Sequence, residues 1–532
     1  MDSPGTTGHP EENGPYDVFV IGGGVNGCGI ARDAAGRGLR VVLAEMNDLA
    51  SATSSASTKL IHGGLRYLEY FDTRLVREAL KERELLLAAM PHIAWPMRFV
   101  LPVSRDMRFD ATTPASRLLS VFFPWLKGRR PAWMIRIGLF FYDHMGIRKL
   151  LPATTRLDLA DCPEGAPLRD HFRFAYEYSD CWVQDARLVV LNARDAAGRG
   201  ARIMTRSKVA QAERRDGCWN VTVQTADGRS EVIRARCLIN ATGPWAMHVL
   251  LDQIGGASDA QIRLVRGSHI VVRKLYSHNK SYFFQGTDGR IVFAIPFERD
   301  FTLIGTTEAV HDDPDMEPVC TQTEADYLRQ FVSGYFKKPV LAEDIVWTYS
   351  GVRPLYDDGS SSATATTREY VLDLDQDGPP LLTVFGGKIT TYRRLAEAAL
   401  AKVGHHFAGA GKPWTAGAPL PGGDFPVDGS DDLRSALVER YPFLDDAWSE
   451  RMVHTYGTEA FAVLGDARAR GQLGNDFGAT ITERELDWVI RNEWVQCADD
   501  FLWRRSKLGL RVSKEQASKI DRYIADRVAA SA

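Results

Sequence analysis

Residues 16–45 constrain the fold more than any other part of this chain. They read YDVFVIGGGVNGCGIARDAAGRGLRVVLAE, in which two short apolar runs flank three consecutive glycines and a segment compatible with a helix. This order predicts a strand, a tight turn, a helix and a second strand.

The glycines of this stretch have the spacing of a dinucleotide-binding turn. Gly22, Gly24 and Gly27 fit G-x-G-x-x-G, in which the first glycine permits the turn, the second lets a pyrophosphate approach the backbone, and the third lets the helix pack on the strand. The helix N-terminus offers free N–H groups and partial positive charge to that pyrophosphate. Glu45 ends the second apolar run and is the expected partner of an adenosine ribose.

Length and composition indicate a globular protein of two or three domains. The 532 residues exceed what one hydrophobic core usually supports, and 45% hydrophobic with 25% charged residues is an ordinary balance. The net charge of −3 argues against nucleic acid as a partner. The seven cysteines are odd in number and include no C-x-x-C pair, so we expect a reducing compartment and no cysteine-built metal site.

The sequence also indicates whether the chain has a signal peptide or a membrane-spanning helix. Residues 1–15 are rich in Gly, Pro and acidic residues, which predicts a disordered leader rather than a signal peptide. No charge-free apolar run approaches the length of a membrane-spanning helix, so any membrane contact is expected to be peripheral.

Residues 105–149 have an unusual composition. They hold nine basic residues against three acidic ones, interleaved with many aromatic and aliphatic side chains. Basic and aromatic residues together favour an interfacial membrane segment, with rings at headgroup level and cations facing anionic lipid. The alternative is that the apolar residues are core and the arginines form a solvated rim.

Four later segments carry further signals. The Ser/Thr-rich run 51–58 is either a flexible connection or a loop around a cofactor, with Arg66 beyond it directed at an anion. A strand ending in Asn240 runs into ATG, and VFGGKITTYR at 384–393 repeats the order of a strand, two glycines and a helix start. Residues 373–378 resemble the start of a calcium loop, but Val384 stands where the bidentate Glu belongs, so a hairpin turn is expected there and no metal site.

Together the motifs resemble one family closely, the FAD-dependent, quinone-linked glycerol-3-phosphate dehydrogenases. The matching blocks are IGGGVNGCGIARDAAGRGL, SSASTKLIHGGLRYLE, RPAWMIRIGLF, YSDCWVQDARLV, NATGPW, RGSHIVV, IGTTE, VWTYSGVRPL, FGGKITTYR and ADDFLWRR, in the family's order. The segment RFDATTPASRLLSVFFPWLKGR departs from the more direct joining of these blocks that the resemblance implies for shorter bacterial members.

The resemblance implies an α/β fold of glutathione-reductase type that binds FAD, interleaved with an antiparallel-sheet substrate domain and followed by a helical C-terminal domain. The FAD domain would be discontinuous, at about 16–100, 176–262 and 345–403, with substrate-facing and membrane-facing parts at about 101–175 and 263–344. A Gly/Pro-rich linker, 404–431, would precede a helical domain at 432–532. The family also implies homodimers attached peripherally to the cytoplasmic, inner face of the cell membrane.

Site residues follow from the matching positions. The resemblance implies that FAD is held by Gly22, Gly24, Gly27, Glu45, Ser54, Ser55, Lys59, Thr242, Gly243 and Gly387. It implies that glycerol 3-phosphate is bound or turned over by Arg66, His269, Arg353 and Lys388, with Tyr67 and Thr306 in support.

The expected reaction removes a hydroxyl proton and a hydride from one carbon. His269 is the candidate base because an unperturbed histidine pKa lies near working pH. Arg66 and Arg353 are the candidates for phosphate or alkoxide, since the guanidinium fork binds two oxygens at once. A soluble oxidase that reduces oxygen, a flavin amine or amino-acid oxidase, a flavin-binding protein without turnover and an NAD-dependent dehydrogenase are the alternatives.

Overall fold

The computed structural model describes residues 14–70, 72–104, 132–146, 149–287, 289–356 and 370–531, apart from the side chains of residues 66, 69, 70 and 531. Two large sheets and a C-terminal group of helices make up the described part of the chain.

The first sheet is built around the glycine-rich stretch. Its strands are β1 (Tyr16–Ile21), β2 (Val41–Ala44), β7 (Arg202–Met204), β8 (Ser207–Arg215), β9 (Cys218–Thr225), β10 (Ser230–Asn240), β17 (Val371–Asp375) and β18 (Leu381–Phe385). The spatial order β17-β18-β10-β1-β2-β7 is parallel from β18 to β7. The central strand β1 is buried among apolar neighbours, which explains its nearly continuous apolar sequence.

Helices cover one face of this sheet. They are α1 (Val25–Gly36), α4 (Asp185–Gly198) and α7 (Tyr392–Val403), and their apolar faces pack with β1 and β2 in one core. The consecutive strands β8, β9 and β10 pair as an antiparallel meander, and the hairpin expected at 373–378 joins β17 to β18.

The second sheet is mainly antiparallel. It contains β3 (Leu60–Ile61), β4 (Ala94–Val103), β5 (Thr155–Asp158), β6 (Phe174–Val183), β11 (Ile262–Arg273), β12 (Ser281–Gln285), β13 (Ile291–Phe297), β14 (Phe301–Gly305), β15 (Ala309–Val310) and β16 (Ile345–Tyr356). Its flanking helices are α2 (Thr73–Ala89), α3 (Ala132–Met145) and α6 (Gln322–Ser333), and a short α5 (Ala246–His248) follows β10. Because β11 pairs with both β14 and β16, residues distant in sequence are brought side by side.

The C-terminal helices form a separate core. They are α8 (Ser430–Arg440), α9 (Asp446–Tyr456), α10 (Ala460–Leu464), α11 (Glu483–Glu493) and α12 (Lys514–Ser531), with a small hairpin of β19 (Asp476–Gly478) and β20 (Ile481–Thr482). The Gly/Pro-rich segment before them packs on α1: Trp414 Nε1 donates to the carbonyl of Asp33, and Arg32 donates to the carbonyls of Ala418 and Pro419.

Candidate functional site

A cavity of about 500 Å³ opens between the two sheets. Its walls come from the carboxyl ends of β1, β2 and β10 on one side and from β11, β13 and β16 on the other. The carboxyl edge of a parallel sheet is where such folds bind ligands, so the cavity lies at the expected place.

The glycine turn is at one end of this cavity and has no room for side chains. Gly22 has φ +109°, and a Cβ there would lie 2.6 Å from the carbonyl oxygen of Ala241. A Cβ on Gly27 would lie 1.9 Å from the carbonyl oxygen of Gly22. Gly24 is the N-cap residue of α1 and provides no side-chain cap, which leaves helix N–H groups for a ligand. The turn therefore fits the pyrophosphate of a dinucleotide.

Glu45 is tied to the same turn. One carboxylate oxygen accepts the Gly23 N–H at 2.7 Å and the other accepts the Asn47 N–H at 2.8 Å. Burial raises the pKa of Glu45, while these two hydrogen bonds lower it. Each oxygen keeps a second lone pair, so the carboxylate remains able to accept a ribose hydroxyl.

The loop after β2 divides into residues that line the cavity and residues that do not. Ser54 lines it, and its hydroxyl accepts the Val25 N–H at 3.0 Å. The Ser55 hydroxyl donates to the nearby Ala52 carbonyl, and Ser55 is absent from the cavity wall. Lys59 is 1% exposed and its ammonium lies 2.7 Å from a carboxylate oxygen of Asp185. Lys59 is thus held in a buried ion pair and is absent from the cavity wall, and its contact with the cofactor stays a prediction.

Two further backbone turns complete this wall. Thr242 and Gly243 follow β10, and Gly243 has φ +59°. Gly387 has φ +102° and follows Gly386, whose carbonyl accepts a hydrogen bond from the Asn26 side chain at 3.2 Å. The second glycine turn is therefore joined to the first helix at the cavity edge.

His269 lines the other end and is held on several sides. Its Nε2 lies 2.9 Å from Thr58 Oγ1, and its ring stacks on Tyr349 with centroids 4.7 Å apart. The ring also covers Gly305, where a Cβ would lie 1.9 Å from Cδ2. Nδ1 is buried without a hydrogen-bond partner among the described residues.

The pKa of His269 differs from the sequence-based expectation. Burial lowers it well below 6.5, and the nearby cations Arg353 and Lys59 lower it further. The expectation of a pKa near working pH is therefore wrong for the protein without ligands, and the imidazole is neutral there.

Arg353 and Thr306 lie beside each other next to His269. Arg353 Nη2 donates to Thr306 Oγ1 at 3.2 Å, and Nη1 lies 3.6 Å from a Glu308 carboxylate oxygen. Gly267 allows this approach, because a Cβ there would lie 2.6 Å from Arg353 Nη2. Both Arg353 and Thr306 line the cavity.

Lys388 and Tyr67 form a second polar pair in the wall. The Lys388 ammonium lies 4.0 Å from the centroid of the Tyr67 ring, a geometry typical of a cation–π contact. Arg66, predicted to bind the phosphate, belongs to a short helical turn (Leu65–Tyr70), but its side chain lies outside the described residues.

Sequence reasoning did not identify several residues that line the cavity or contact His269. Thr58 and Tyr349 contact His269, and the aromatic rings of Phe283 and Phe293 line the same end with Arg290. The hydroxyl-rich run around Thr58 was a usable signal. The two phenylalanines follow an ordinary strand pattern and carried none.

One group of side chains in the described part of the chain has the spacing of metal ligands. His248, Asp313 and Asp315 approach one another within 4.8 Å, but all three are exposed, and Asp315 accepts a hydrogen bond from Trp245 Nε1 at 2.7 Å. Exposed acidic groups of this kind are common without an ion, so the expectation that the chain binds no metal stays a prediction.

Known proteins resemble this chain over nearly its whole length. A family model described as FAD dependent oxidoreductase matches residues 17–393, and one described as the C-terminal domain of alpha-glycerophosphate oxidase matches residues 414–531. The glycerol-3-phosphate dehydrogenase of Pseudomonas aeruginosa is 47% identical over 511 residues, covering 96% of this chain and 95% of that protein. The aerobic glycerol-3-phosphate dehydrogenase of Escherichia coli K12 is 45% identical over 513 residues, covering 96% and 97%.

A relative with a different substrate name is equally similar. The D-erythritol 1-phosphate dehydrogenase of Brucella abortus is 46% identical over 502 residues, covering 94% of this chain and 96% of that protein. Among solved structures, the glycerol-3-phosphate dehydrogenase from Bacillus halodurans complexed with FAD has a TM-score of 0.69 at 23% identity, covering 97% of this chain and 94% of that one.

These matches confirm the predicted fold class and the cofactor. The α/β FAD-binding architecture with a helical C-terminal domain agrees with both family models and with the solved structure. FAD also fits the cavity on physical grounds, because the two glycine turns and the free N–H groups of α1 leave space and donors for a dinucleotide.

Proposed function

We propose that this chain, which belongs to the FAD-dependent oxidoreductase family that includes the aerobic glycerol-3-phosphate dehydrogenases, oxidises sn-glycerol 3-phosphate to dihydroxyacetone phosphate and passes the electrons to a membrane quinone. The observation that carries the proposal is one cavity that joins the dinucleotide-type glycine turn to His269, Arg353, Thr306 and Lys388.

The protein's own task is to hold the substrate carbon and to take the hydroxyl proton. Bound FAD supplies the hydride acceptor at N5 of its ring. Gly22, Gly24 and Gly27 would hold its pyrophosphate and Glu45 its ribose. His269 is neutral at working pH because burial, Arg353 and Lys59 disfavour the imidazolium, so a ring nitrogen has a lone pair free to accept a proton.

A dianionic substrate would change the basicity of His269. Burial and the cations Arg353 and Lys59 lower the pKa of the imidazole, which makes it a weak base. A bound phosphate and a developing alkoxide place negative charge beside the ring and raise its pKa again. His269 therefore becomes an effective base only when the substrate is in place.

The cations of the cavity suit the phosphate. Arg353 offers a planar fork, and its contact with Thr306 fixes the direction of that fork. Lys388 adds a second positive charge above the Tyr67 ring, and Arg66 is proposed as the third cation. The R353K substitution described in the Discussion tests whether Arg353 belongs to the site.

The outer face of α3 supports contact with a membrane. Trp133, Ile137, Phe140 and Phe141 form one stripe of this helix, and each is between 47% and 54% exposed. Lipid would cover such a stripe with rings at the depth of the headgroups. No helix in the described part of the chain is long and apolar enough to span a bilayer, and residues 105–131 lie outside the described residues.

The membrane contact and the assembly are parts of the same proposal. We infer that residues 105–149 attach the protein peripherally to the inner face of the cell membrane. We also infer that the protein is a homodimer. The double variant F140S/F141S should lose binding to vesicles that contain anionic lipid, while V232S/L251S, which removes two exposed apolar side chains elsewhere, should bind like the wild type. Light scattering on the purified protein tests the dimer.

One experiment tests substrate and acceptor together. Glycerol 3-phosphate added without oxygen should bleach the bound flavin, and a soluble quinone should restore its colour faster than oxygen does. Faster reoxidation by oxygen would favour an oxidase, and no bleaching would favour a flavin-binding protein without turnover.

D-erythritol 1-phosphate is a second candidate substrate, favoured by the 46% identity to the Brucella enzyme. It is also a phosphate monoester with secondary hydroxyls, so the same base and cations serve it. The substrate with the larger second-order rate constant of flavin reduction is the preferred one. Glycerol is the control that shows whether the phosphate is required.

A further inference from the structure

We propose that Tyr142 is a positioning residue for the substrate pocket. Its hydroxyl holds the segment 62–67 against helix α3, and through Tyr67 it sets how tightly the substrate binds. This inference rests on the proposed function, which names glycerol 3-phosphate as the substrate and places Tyr67 and Lys388 in its binding site.

The hydroxyl of Tyr142 makes two hydrogen bonds of fixed direction. It lies 2.7 Å from the backbone nitrogen of Gly63 and 2.7 Å from a carboxylate oxygen of Asp180. A carboxylate only accepts, so the hydroxyl proton goes to Asp180 and an oxygen lone pair accepts the Gly63 N–H. Arg83 lies 2.6 Å from the same carboxylate and also donates to the Ser179 carbonyl at 2.8 Å. Asp180 is thereby held in place behind Tyr142.

The whole arrangement is sealed from solvent. Tyr142 and Asp180 are each 2% exposed and Arg83 is 4% exposed. Gly63 fits closely against them, since a Cβ there would lie 2.6 Å from Leu80 Cδ2 and 2.8 Å from Tyr142 Cε2. A buried backbone N–H that loses its acceptor has no water to replace it. The bond from Gly63 to Tyr142 therefore helps to seat this segment, together with the interaction of the same N–H with the Asp180 carboxylate that Tyr142 holds.

The other end of the segment reaches the cavity. Gly64 has φ +74°, and its carbonyl accepts the Tyr67 N–H at 2.9 Å. The Tyr67 ring lines the cavity beneath the Lys388 ammonium. His62, just before Gly63, has its N–H 3.4 Å from Thr390 Oγ1 beside the second glycine turn. Movement at Gly63 would therefore shift Tyr67 relative to Lys388.

The phenol of Tyr142 itself does not line the cavity. Its loss should weaken substrate binding without changing the atoms that take the proton or hydride. This predicts a defect confined to affinity, which a general loss of stability does not produce.

The test compares Y142F with Y441F as holoenzymes. Tyr441 is a matched control, since it is 1% exposed and its hydroxyl donates to the Gly465 carbonyl at 2.7 Å, with the Phe461 carbonyl 3.2 Å away, in the C-terminal core. In anaerobic stopped-flow flavin reduction, Y142F should raise the apparent Kd for glycerol 3-phosphate about tenfold, with the limiting rate within about twofold of wild type and FAD content unchanged. Y441F should leave both parameters unchanged.

Hydrogen exchange gives a second readout that needs no turnover. Mass spectrometry of the peptide containing residues 60–70 should show faster amide exchange in Y142F than in wild type or Y441F. If Y142F does not fold, G63A perturbs the same contact at Gly63, because the added methyl group must displace Leu80 or Tyr142. G63A should show the same increase in the apparent Kd.

The outcomes separate this inference from the proposed function. If glycerol 3-phosphate fails to reduce wild-type flavin, the proposed function fails, and the exchange experiment still decides the role of Tyr142. Unchanged exchange in Y142F, or a lower limiting rate with unchanged Kd, would overturn the positioning role.

Discussion

Replacing Asp48 by Asn tests whether the C-terminal helices hold the loop beside the glycine turn. Arg505 Nη1 and Nη2 lie 2.6 and 2.7 Å from the two Asp48 carboxylate oxygens, and Arg504 Nε lies 2.5 Å from one of them. Asp48 is 2% exposed and Arg505 is 0% exposed. Two residues later, the Ala50 N–H donates to the Gly23 carbonyl at 3.1 Å, which connects this ion pair to the turn.

The burial of this pair sets the expected magnitude. Removing Asp48 takes the directly bonded carboxylate away from the buried Arg505 guanidinium and leaves Glu493, 3.9 Å from Nε, as its nearest remaining countercharge among the described residues. Breaking a buried pair costs about 3–5 kcal/mol, and the remaining Glu493 contact puts D48N at the lower end of that range. The matched control is D227N, because the Asp227–Arg229 pair is 50% and 82% exposed, and exposed ion pairs contribute little to stability.

Unfolding and flavin release are measured separately on the same samples. Tryptophan fluorescence during thermal unfolding should show a midpoint several degrees lower in D48N and nearly unchanged in D227N. Flavin fluorescence should show release of FAD at a lower temperature than in wild type. A D48N protein that unfolds and releases FAD like D227N would refute the reasoning.

Four further outcomes are expected. H269A should keep FAD but slow anaerobic flavin reduction by 10²–10⁴, the usual effect of losing an acid or base; rapid reduction would show that another base is used. R353K should keep FAD and the positive charge but reduce turnover of the phosphorylated substrate, because the fork that contacts Thr306 is lost; unchanged turnover would remove Arg353 from the site. Burial, with Arg187, His454 and Arg194 nearby, lowers the pKa of His92 to about 3. As the pH is lowered from about 6.5, the free energy of unfolding of the wild type should therefore decrease, by up to about 1.4 kcal/mol per pH unit. Urea titrations of H92N should show a weaker pH dependence. Burial raises the pKa of Glu324, but hydrogen bonds from Thr321, Thr307 and Ser268 outweigh it and lower the pKa to about 2; E324Q should therefore be less stable than wild type above about pH 4.5, and the difference in urea unfolding should shrink as the pH falls toward 2.

Local patterns were sufficient for the parts of the site made by consecutive residues. The turn at Gly22 and the hairpin before β18 depend on steric rules that act over a few residues, so sequence alone predicted them. The meeting of His269 with Tyr349 and Gly305 depends on the register of β11 with β16 and β14. Single-sequence patterns do not fix that register, and only the family resemblance placed His269 near Thr306 and Arg353.

For two residues, Lys59 and His269, the sequence did not reveal the charged groups that surround the side chain. Lys59 follows the cofactor loop in sequence, yet Asp185, which starts a helix far along the chain, takes its ammonium into a buried ion pair. The pKa of His269 is lowered by burial and by Arg353 and Lys59, and none of these is visible in the sequence RGSHIVV. Both cases depend on which charges the fold brings together, which is a property of tertiary structure.

The C-terminal domain must act on the chemistry indirectly. Among the described residues, every residue that lines the cavity precedes residue 391, so no side chain of the C-terminal helices touches the space where substrate and cofactor would lie. Residues 503–505, between α11 and α12, instead contact residues that shape this space. Arg505 contacts Asp48 beside the glycine turn, and the rings of Trp503 and Trp347 stack with centroids 4.6 Å apart. Trp347 is on β16, the strand that also carries Arg353. The Asp48 contact is near the glycine turn that would hold the dinucleotide, and the Trp347 contact is on the strand that carries Arg353. Loosening the C-terminal domain should therefore weaken FAD retention and substrate affinity together. The Y142F substitution should affect substrate affinity alone.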